Sequence, residues 1–392
     1  MKSPEPLSHQ AIRNQNLSLV LGSLLRHDEV TRKQLEQESG LSKATVWRLV
    51  DDLVEAGAAS QRSAERGEPG SRGRRPGAVR ASSGLGTGVG LSLGVRTSSV
   101  KVTDLLGGEL AQTQLPTPRW KDLGEAVDWA AACVLSAVEE SPARLRRVVV
   151  AVPARAINGQ VVARLPLFMS VIEGPEFGRL LADRLECPVR LETDASMILA
   201  GLEVMGLVDR GTLPVLLNLG SVLTMSLRRA DGSIAEGRSS SFGDFGLIPV
   251  ETELGCVAIG TLLGAHGLFE TSQSMGRELR AMEDLWETDS DEVERLRRAF
   301  LLALERALRT IIVMSDPSEV VFTGRLVPLV ARSLEEVVGR LATQVAHPPS
   351  LRVVEYSEEG RAAAAGAAEE AREGATTELL DRVARDGVEA LR

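Results

Sequence analysis

From Asn16 the apolar positions Leu17, Val20, Leu21, Leu24 and Leu25 recur at helical spacing and stop at the charged His27-Asp28-Glu29, which predicts a first helix. Thr31 stands where a cap would, Leu35 anchors a short second helix, and Gly40 supplies the left-handed residue that ends it. Ser42 caps a third helix whose apolar face is Val46, Leu49, Val50 and Leu53, ending at Gly57. Two short helices joined through Gly40 fit a helix-turn-helix, although any three-helix bundle shows the same periodicity. As a helix-turn-helix, its second helix offers Ser42, Lys43, Thr45, Trp47 and Arg48 to solvent, groups suited to base edges and phosphates. Thr31 and Arg32, where the preceding helix begins, join them as candidate DNA contacts.

The next segment, SQRSAERGEPGSRGRRPGAVR, sets Arg62, Arg66, Arg72, Arg74, Arg75 and Arg80 among Gly, Ser and Pro, a composition that packs no core. It is either a solvated linker or a basic wing placed directly after the recognition helix. As a wing, it offers Arg72, Arg74 and Arg75 to DNA, the last two pinned by Pro76 and suited to a narrow A·T-rich minor groove. The expected division is a helix-turn-helix over 1–60, a wing or linker over 61–83 and a larger domain over 84–392.

In that larger domain VGLSLGVRTSSVKVTDLLGGELAQTQL reads as three short strands, with turns at Arg96-Thr97 and Gly107-Gly108. A helix over 122–140, the strand RVVVAVPA, a hairpin at Asn158-Gly159, a helix from Glu176 to Leu185 and the strand VRLET follow. A second meander begins at LPVLLNLGS, continues through VLTMSLRR, turns at Asp231-Gly232 and gives SIAEG. The opening is repeated in outline, so two duplicated α/β lobes are expected.

Composition narrows the class. At 392 residues the chain exceeds one ordinary core, and 43% hydrophobic with 25% charged residues excludes disorder over most of it. No apolar run approaches the roughly 20 residues that span a bilayer. The opening MKSPEPLSHQAIRNQN lacks the apolar stretch of a secretory signal, so a cytoplasmic protein without a membrane partner is expected. Cys133, Cys187 and Cys256 are scattered and unpaired in sequence, which suggests small buried hydrophobes rather than a disulfide framework or thiolate metal site. The net charge of −9 is uneven: residues 1–80 hold 13 Lys/Arg against 10 Asp/Glu, and the remainder 32 against 44. A basic head on an acidic body favours local docking on DNA over coating it.

The motifs occur in a telling order: LSKATVWRLVDDLVEAG with GRRP after it, VPA with NG, ETDA, LNLGS with DG and EG, GDFG, GLFE and DPSEVVFTG. Together they resemble the ROK family (repressors, open reading frames and sugar kinases), in particular its winged-helix repressor branch, over nearly the whole chain. The resemblance implies an α/β protein with an N-terminal winged helix-turn-helix. A two-lobed actin-like domain of the duplicated, ribonuclease H-like ATPase type follows it.

Carried over residue by residue, the resemblance implies no kinase activity and no cofactor. The kinases' Asp-x-Gly-x-Thr strand aligns with Ser92-Leu93-Gly94-Val95-Arg96, which lacks the carboxylate that organises metal and phosphates. Their Gly-Thr-Gly loop aligns with Gly220-Ser221-Val222, a β-branched residue replacing the glycine that lets backbone approach phosphate. Their paired adenine-end glycines align with Gly324-Arg325. The family's zinc ligands align with Leu247, Thr261, Leu263 and Leu268, so no metal is expected, and the three leucines are expected to pack as a small apolar cluster. His266 alone does not make a site. The family's sugar-holding positions align with Thr193, Asp194, Asp244, Leu247 and Glu270, leaving three carboxylates and Thr193 as candidate ligand groups. Asp194 serves equally well as a helix cap, and Asp244 is one methylene shorter than the family's Glu.

The function so implied is that of a repressor-type transcriptional regulator. Its body forms a homodimer or homotetramer, its heads read inverted half-sites of a double-stranded DNA operator, and a sugar or sugar phosphate shifts lobe closure. The alternatives are a sugar kinase with a DNA-binding appendage, and a ligand-free regulator controlled by a protein partner.

Overall fold

A computed structural model of the chain describes residues 8–391 apart from 63–76, 142, 158–159, 163–164, 166, 236–244, 278, 280, 282–283 and 288–289. The first helix, α1 (His9–Leu25), starts well before Asn16, with the Ser8 hydroxyl accepting from the Ala11 amide. Residues 9–15 carry no apolar stripe. What holds them is tertiary: Asn14 is buried, and its amide donates at 2.8 Å to the Arg385 carbonyl near the chain's end.

After β1 (Val30–Thr31), α2 (Arg32–Ser39) opens with a complete capping box between Thr31 and Gln34. It ends at Gly40, which takes φ +68° and returns its N–H to the Glu36 carbonyl. Ser42 caps α3 (Lys43–Glu55), whose Val46, Leu49, Val50 and Leu53 are all buried. The strands β2 (Ala59–Arg62) and β3 (Ala78–Ala81) pair antiparallel and complete a three-stranded sheet in the order β1-β3-β2. Here the chain departs from its composition. The ends of the segment expected to pack no core form strands: Val79 is fully buried and Ala81, just beyond the segment and on the same face of β3, nearly so, while Arg80 between them is exposed. The expected boundary at residue 60 therefore falls inside β2. Arg66, Arg72, Arg74 and Arg75 lie outside the described residues.

The first lobe is a five-stranded sheet in the order β10-β7-β4-β5-β6. The expected meander supplies β4 (Thr87–Ser92), β5 (Thr97–Asp104) and β6 (Glu109–Pro116), paired antiparallel. After α4 (Leu123–Val138), β7 (Leu145–Val152) adds parallel to β4. Its unbroken apolar run is explained by burial on both faces. The short hairpin β8 (Arg155–Ile157) and β9 (Gln160–Val162) follows, its Asn158-Gly159 link outside the described residues. Then come α5 (Glu176–Leu185), β10 (Val189–Thr193), parallel to β7, and α6 (Asp194–Val204).

The second lobe repeats this with one strand fewer, in the order β12-β11-β15-β16. It uses β11 (Val215–Leu219), β12 (Leu223–Leu227), and, after intervening elements, β15 (Glu319–Thr323) and β16 (Ser350–Val353). Of the expected third meander strand, SIAEG, the described part makes a single bridge, Arg228 to Ile234. The insertion before β15 holds β13 (Pro249–Thr252), β14 (Gly255–Ala258), α7 (Ile259–Leu263), α8 (Ala265–Ser274), α9 (Asp284–Glu287) and α10 (Asp291–Ser315). Helix α11 (Val327–Ala342) joins β15 to β16.

The last helix, α12 (Tyr356–Asp386), holds the molecule together. Its 31 residues run for about 46 Å at 1.5 Å per residue. Its first half packs with α6 between the inner faces of the two sheets, Val149 and Ala151 on one side and Leu216 and Val321 on the other. The approach is backbone to backbone: a Cβ on Gly201 would meet the Ala362 carbonyl, and one on Gly366 the Met197 carbonyl. Its second half buries Ala375, Leu379 and Val383 in the same core as Leu17, Leu21 and Leu24 of α1 and Leu35 of α2. At roughly 1.5–3 kcal/mol for each fully buried Leu or Val, that joint core holds the head firmly to the body. Part of the 84–392 segment thus completes the head, a consequence of packing between the two ends of the chain.

Candidate functional site

Two places collect the candidate residues. On the head, α3 leaves Lys43, Trp47 and Arg48 exposed along one face, with Thr45 half-exposed. Trp47 lies beneath two cations, the Arg32 guanidinium 4.2 Å and the Lys43 ammonium 5.7 Å from its ring centre. The Arg48 side chain has no hydrogen-bond or ion-pair partner among the described residues. The other candidates act locally. Thr31 and Ser42 spend their hydroxyls on the amides of Gln34 and Thr45, fixing where α2 and α3 begin. Arg32 bonds Asp51 at 2.7 Å and Gln61 at 2.8 Å, and so ties α2 to α3 and to β2. Lys33, exposed beside it, was not singled out from sequence because helical spacing alone does not tell which of two adjacent cations faces outward.

Between the lobes lies a cleft of about 320 Å³. Lobe one contributes the turn Ser92–Thr97 with Ser99 and Gln114, and lobe two contributes Asn218, Gly220, Ser221, Val222, Thr224 and Arg325. Helices α6 and α12 close its floor with Asp194, Ile198, Glu359, Gly360 and Ala363. Asn218 is buried at the centre. Its amide N–H₂ donates at 3.2 Å to Glu359 Oε1 and at 3.4 Å to Asp194 Oδ2, while Asp194 Oδ1 accepts from the Ala195 amide at 2.6 Å. Asn218 Oδ1, Glu359 Oε2 and Thr224 Oγ1 are buried without a partner. Burial raises the Asp194 carboxyl to about 7, and burial followed by the nearby Asp194 charge raises Glu359 to about 8. A protonated carboxyl beside a carboxamide both donates and accepts, which suits the hydroxyls of a polyol. At the rim, Arg96 and Arg325 stand exposed on opposite lobes.

Of the residues aligned with sugar-holding positions, only Asp194 lines this cleft among those described. The Thr193 hydroxyl accepts from the Ala156 amide at 3.2 Å. Glu270 is exposed on α8 and pairs with His266 at 3.2 Å. Asp244 lies outside the described residues. Asn218 and Glu359 were missed. Asn218 sits within an apolar strand, and Glu359 precedes an alanine-rich run whose only signal is the small-residue pattern of a closely packed helix.

The residues present do not fit a magnesium nucleotide. Ser92 offers no carboxylate at the turn, Val222 and Arg325 stand on the lining, and burial disfavours the charged form of the floor carboxyls that a metal would need. The positions aligned with zinc ligands hold no donor set either. Leu263 and Leu268 are fully buried in the lobe-two core, but Leu247 is 56% exposed, so the expected three-leucine cluster is a pair. Leu247 closes the short helical turn Phe245–Leu247, of which Phe245 is the residue buried in the lobe-two core.

Comparisons with known proteins agree with this architecture. A crystal structure described as "the ROK family transcriptional regulator, homolog of E.coli MLC protein" superimposes with TM-score 0.65 at 16% identity, covering 97% of this chain and all of that one. The ROK hexokinase from Thermus thermophilus superimposes with TM-score 0.59 at 20% identity, over 74% of this chain and all of its own. At such identities the likeness is one of fold. In sequence, the "Putative xylose repressor" of Caldicellulosiruptor sp. (strain Rt8B.4) is 31% identical over 101 residues, 26% of this chain. That stretch spans 24% of the relative's own length. Residues 88–373 match the model of the ROK family, and the chain belongs to that family.

Proposed function

We propose that this protein is a DNA-binding transcriptional regulator of the repressor type. It acts as a homodimer or homotetramer on a double-stranded operator and has no kinase activity. The observation that carries the reading is the outer face of α3, where Lys43, Trp47 and Arg48 stand exposed beside a three-stranded wing sheet. A structural bundle gains nothing from an exposed tryptophan under two cations, whereas a recognition helix needs such a face. In this reading Arg74 and Arg75 of the wing enter the minor groove, and Arg32 holds the wing against α3.

The cleft is the effector site. Its buried, partly unpartnered Asp194-Asn218-Glu359 group takes the hydroxyls of a carbohydrate, and Arg96 and Arg325 at the rim accept a phosphate when the sugar carries one. Helix α12 links the two sites, with Glu359 in the cleft and Leu379 and Val383 in the head core. A ligand that favours one lobe arrangement would thereby favour one seating of the head.

Selection of bound duplexes from a random pool by the full chain tests the first part. An inverted repeat with half-sites about 10 bp apart, or a multiple of that, is expected. Salt-sensitive binding without any enriched sequence would refute it. Incubation of the protein with hexoses, magnesium and ATP should give no sugar phosphate, and turnover abolished by Asp194→Asn would establish a kinase instead.

A further inference from the structure

We propose that the seam between head and body carries a phosphate-binding pocket built by Arg144, Arg146 and Arg382, separate from the interlobe cleft. The phosphate is borne either by a small free molecule or by the DNA backbone. The three arginines line a cavity of about 100 Å³ together with Pro188, Ala375 and Leu379. That is space enough for one tetrahedral oxyanion.

The three cations lack compensation. The Arg144 and Arg382 side chains are exposed, and their guanidinium groups have no hydrogen-bond or ion-pair partner among the described residues. Arg146 is half-buried and spends its Nε–H on the Leu85 carbonyl, its side chain lying across Gly86 where a Cβ would clash with it. That bond leaves its terminal amino groups for the cavity. Burial, then the charges of Arg382 and Arg144, holds the Arg146 guanidinium below its usual range, as expected where like charges converge without an anion. Two carboxylates lie on the lining, and Glu378 is already paired to Arg147. The remaining one, Glu186, is exposed and sets one negative charge against three positive ones. A doubly charged oxyanion relieves the imbalance, and guanidinium forks match its oxygens bidentately.

The position gives the pocket a consequence. Leu85, Ala375 and Leu379 belong to the core of the head, so an anion here joins lobe one to the seating of the head. This inference goes beyond the regulator reading and stands without an operator.

The test uses the full chain and the double variant Arg144→Ala, Arg382→Ala, whose exposed side chains leave the cores intact; thermal unfolding should confirm an unchanged midpoint. One arm titrates inorganic phosphate calorimetrically in chloride buffer without DNA. The other measures the salt dependence of binding to a random-sequence duplex of about 30 bp, longer than two half-sites. A loss of phosphate affinity of tenfold or more in the variant supports the pocket with a free phosphate as occupant. A salt slope reduced by about 2, at about 0.9 per phosphate contact, supports it with the DNA backbone as occupant. If the variant matches the wild type in both arms, the proposal is overturned, whatever sequence selection reveals about the head.

Discussion

The double substitution Asp194→Asn, Glu359→Gln should flatten the protein's loss of stability with rising pH between about 5 and 7. In the unfolded chain these carboxyls titrate near about 3.9 and 4.3. In the folded chain burial raises Asp194 to about 7, and burial with the Asp194 charge raises Glu359 to about 8. Above about pH 5 the unfolded chain has therefore released both protons while the folded chain retains them, so stability falls as pH rises and levels off above the folded values. Each proton retained only in the folded state costs about 1.4 kcal/mol per pH unit. The difference in slope between wild type and variant is then about 1.4 kcal/mol per pH unit if the pair holds one proton, and about 2.7 if it holds two. Urea unfolding of both proteins at about pH 5, 6 and 7 measures it, with the unfolding slope in urea checked for constancy. Parallel stability curves would refute the reasoning, because they would mean that the floor of the cleft is wet and its carboxyls ionise normally.

Three further outcomes are expected. Arg48→Ala should weaken binding to the selected duplex by about 1–3 kcal/mol if it reads a base, leaving the thermal midpoint unchanged. Arg74→Ala with Arg75→Ala should lower affinity uniformly across sequences and flatten the salt slope; an unchanged slope would remove the wing from the interface. Leu379→Ala, at a side chain 1% exposed in the core shared by head and body, should cost about 2–5 kcal/mol. It should also raise amide exchange in α1, and an unaltered α1 would show that the head does not depend on α12.

Local chemistry made much of this protein legible in advance. Thr31 with Gln34, Gly40 and Ser42 mark the ends of α2 and α3 because capping and left-handed turns are decided within four residues. The helix Glu176–Leu185 and the strand Val189–Thr193 fall where periodicity and turn residues place them. The order of motifs led to the family for the same reason, being carried by short contiguous runs. Tertiary structure alone decided the rest. The start of α1 depends on Asn14 meeting Arg385 across 371 residues of chain. Strands β2 and β3 depend on Val79 finding the head core, and the cleft depends on α12 bringing Glu359 to Asn218 across 141 residues. The resemblance places Leu247 with Leu263 and Leu268 in an apolar cluster that replaces the metal, yet Leu247 lies outside while Phe245, two residues before it, is buried. Periodicity states which face of an element is apolar, but which partner covers that face, and which polar groups are buried with it, is set by contacts between segments far apart in sequence.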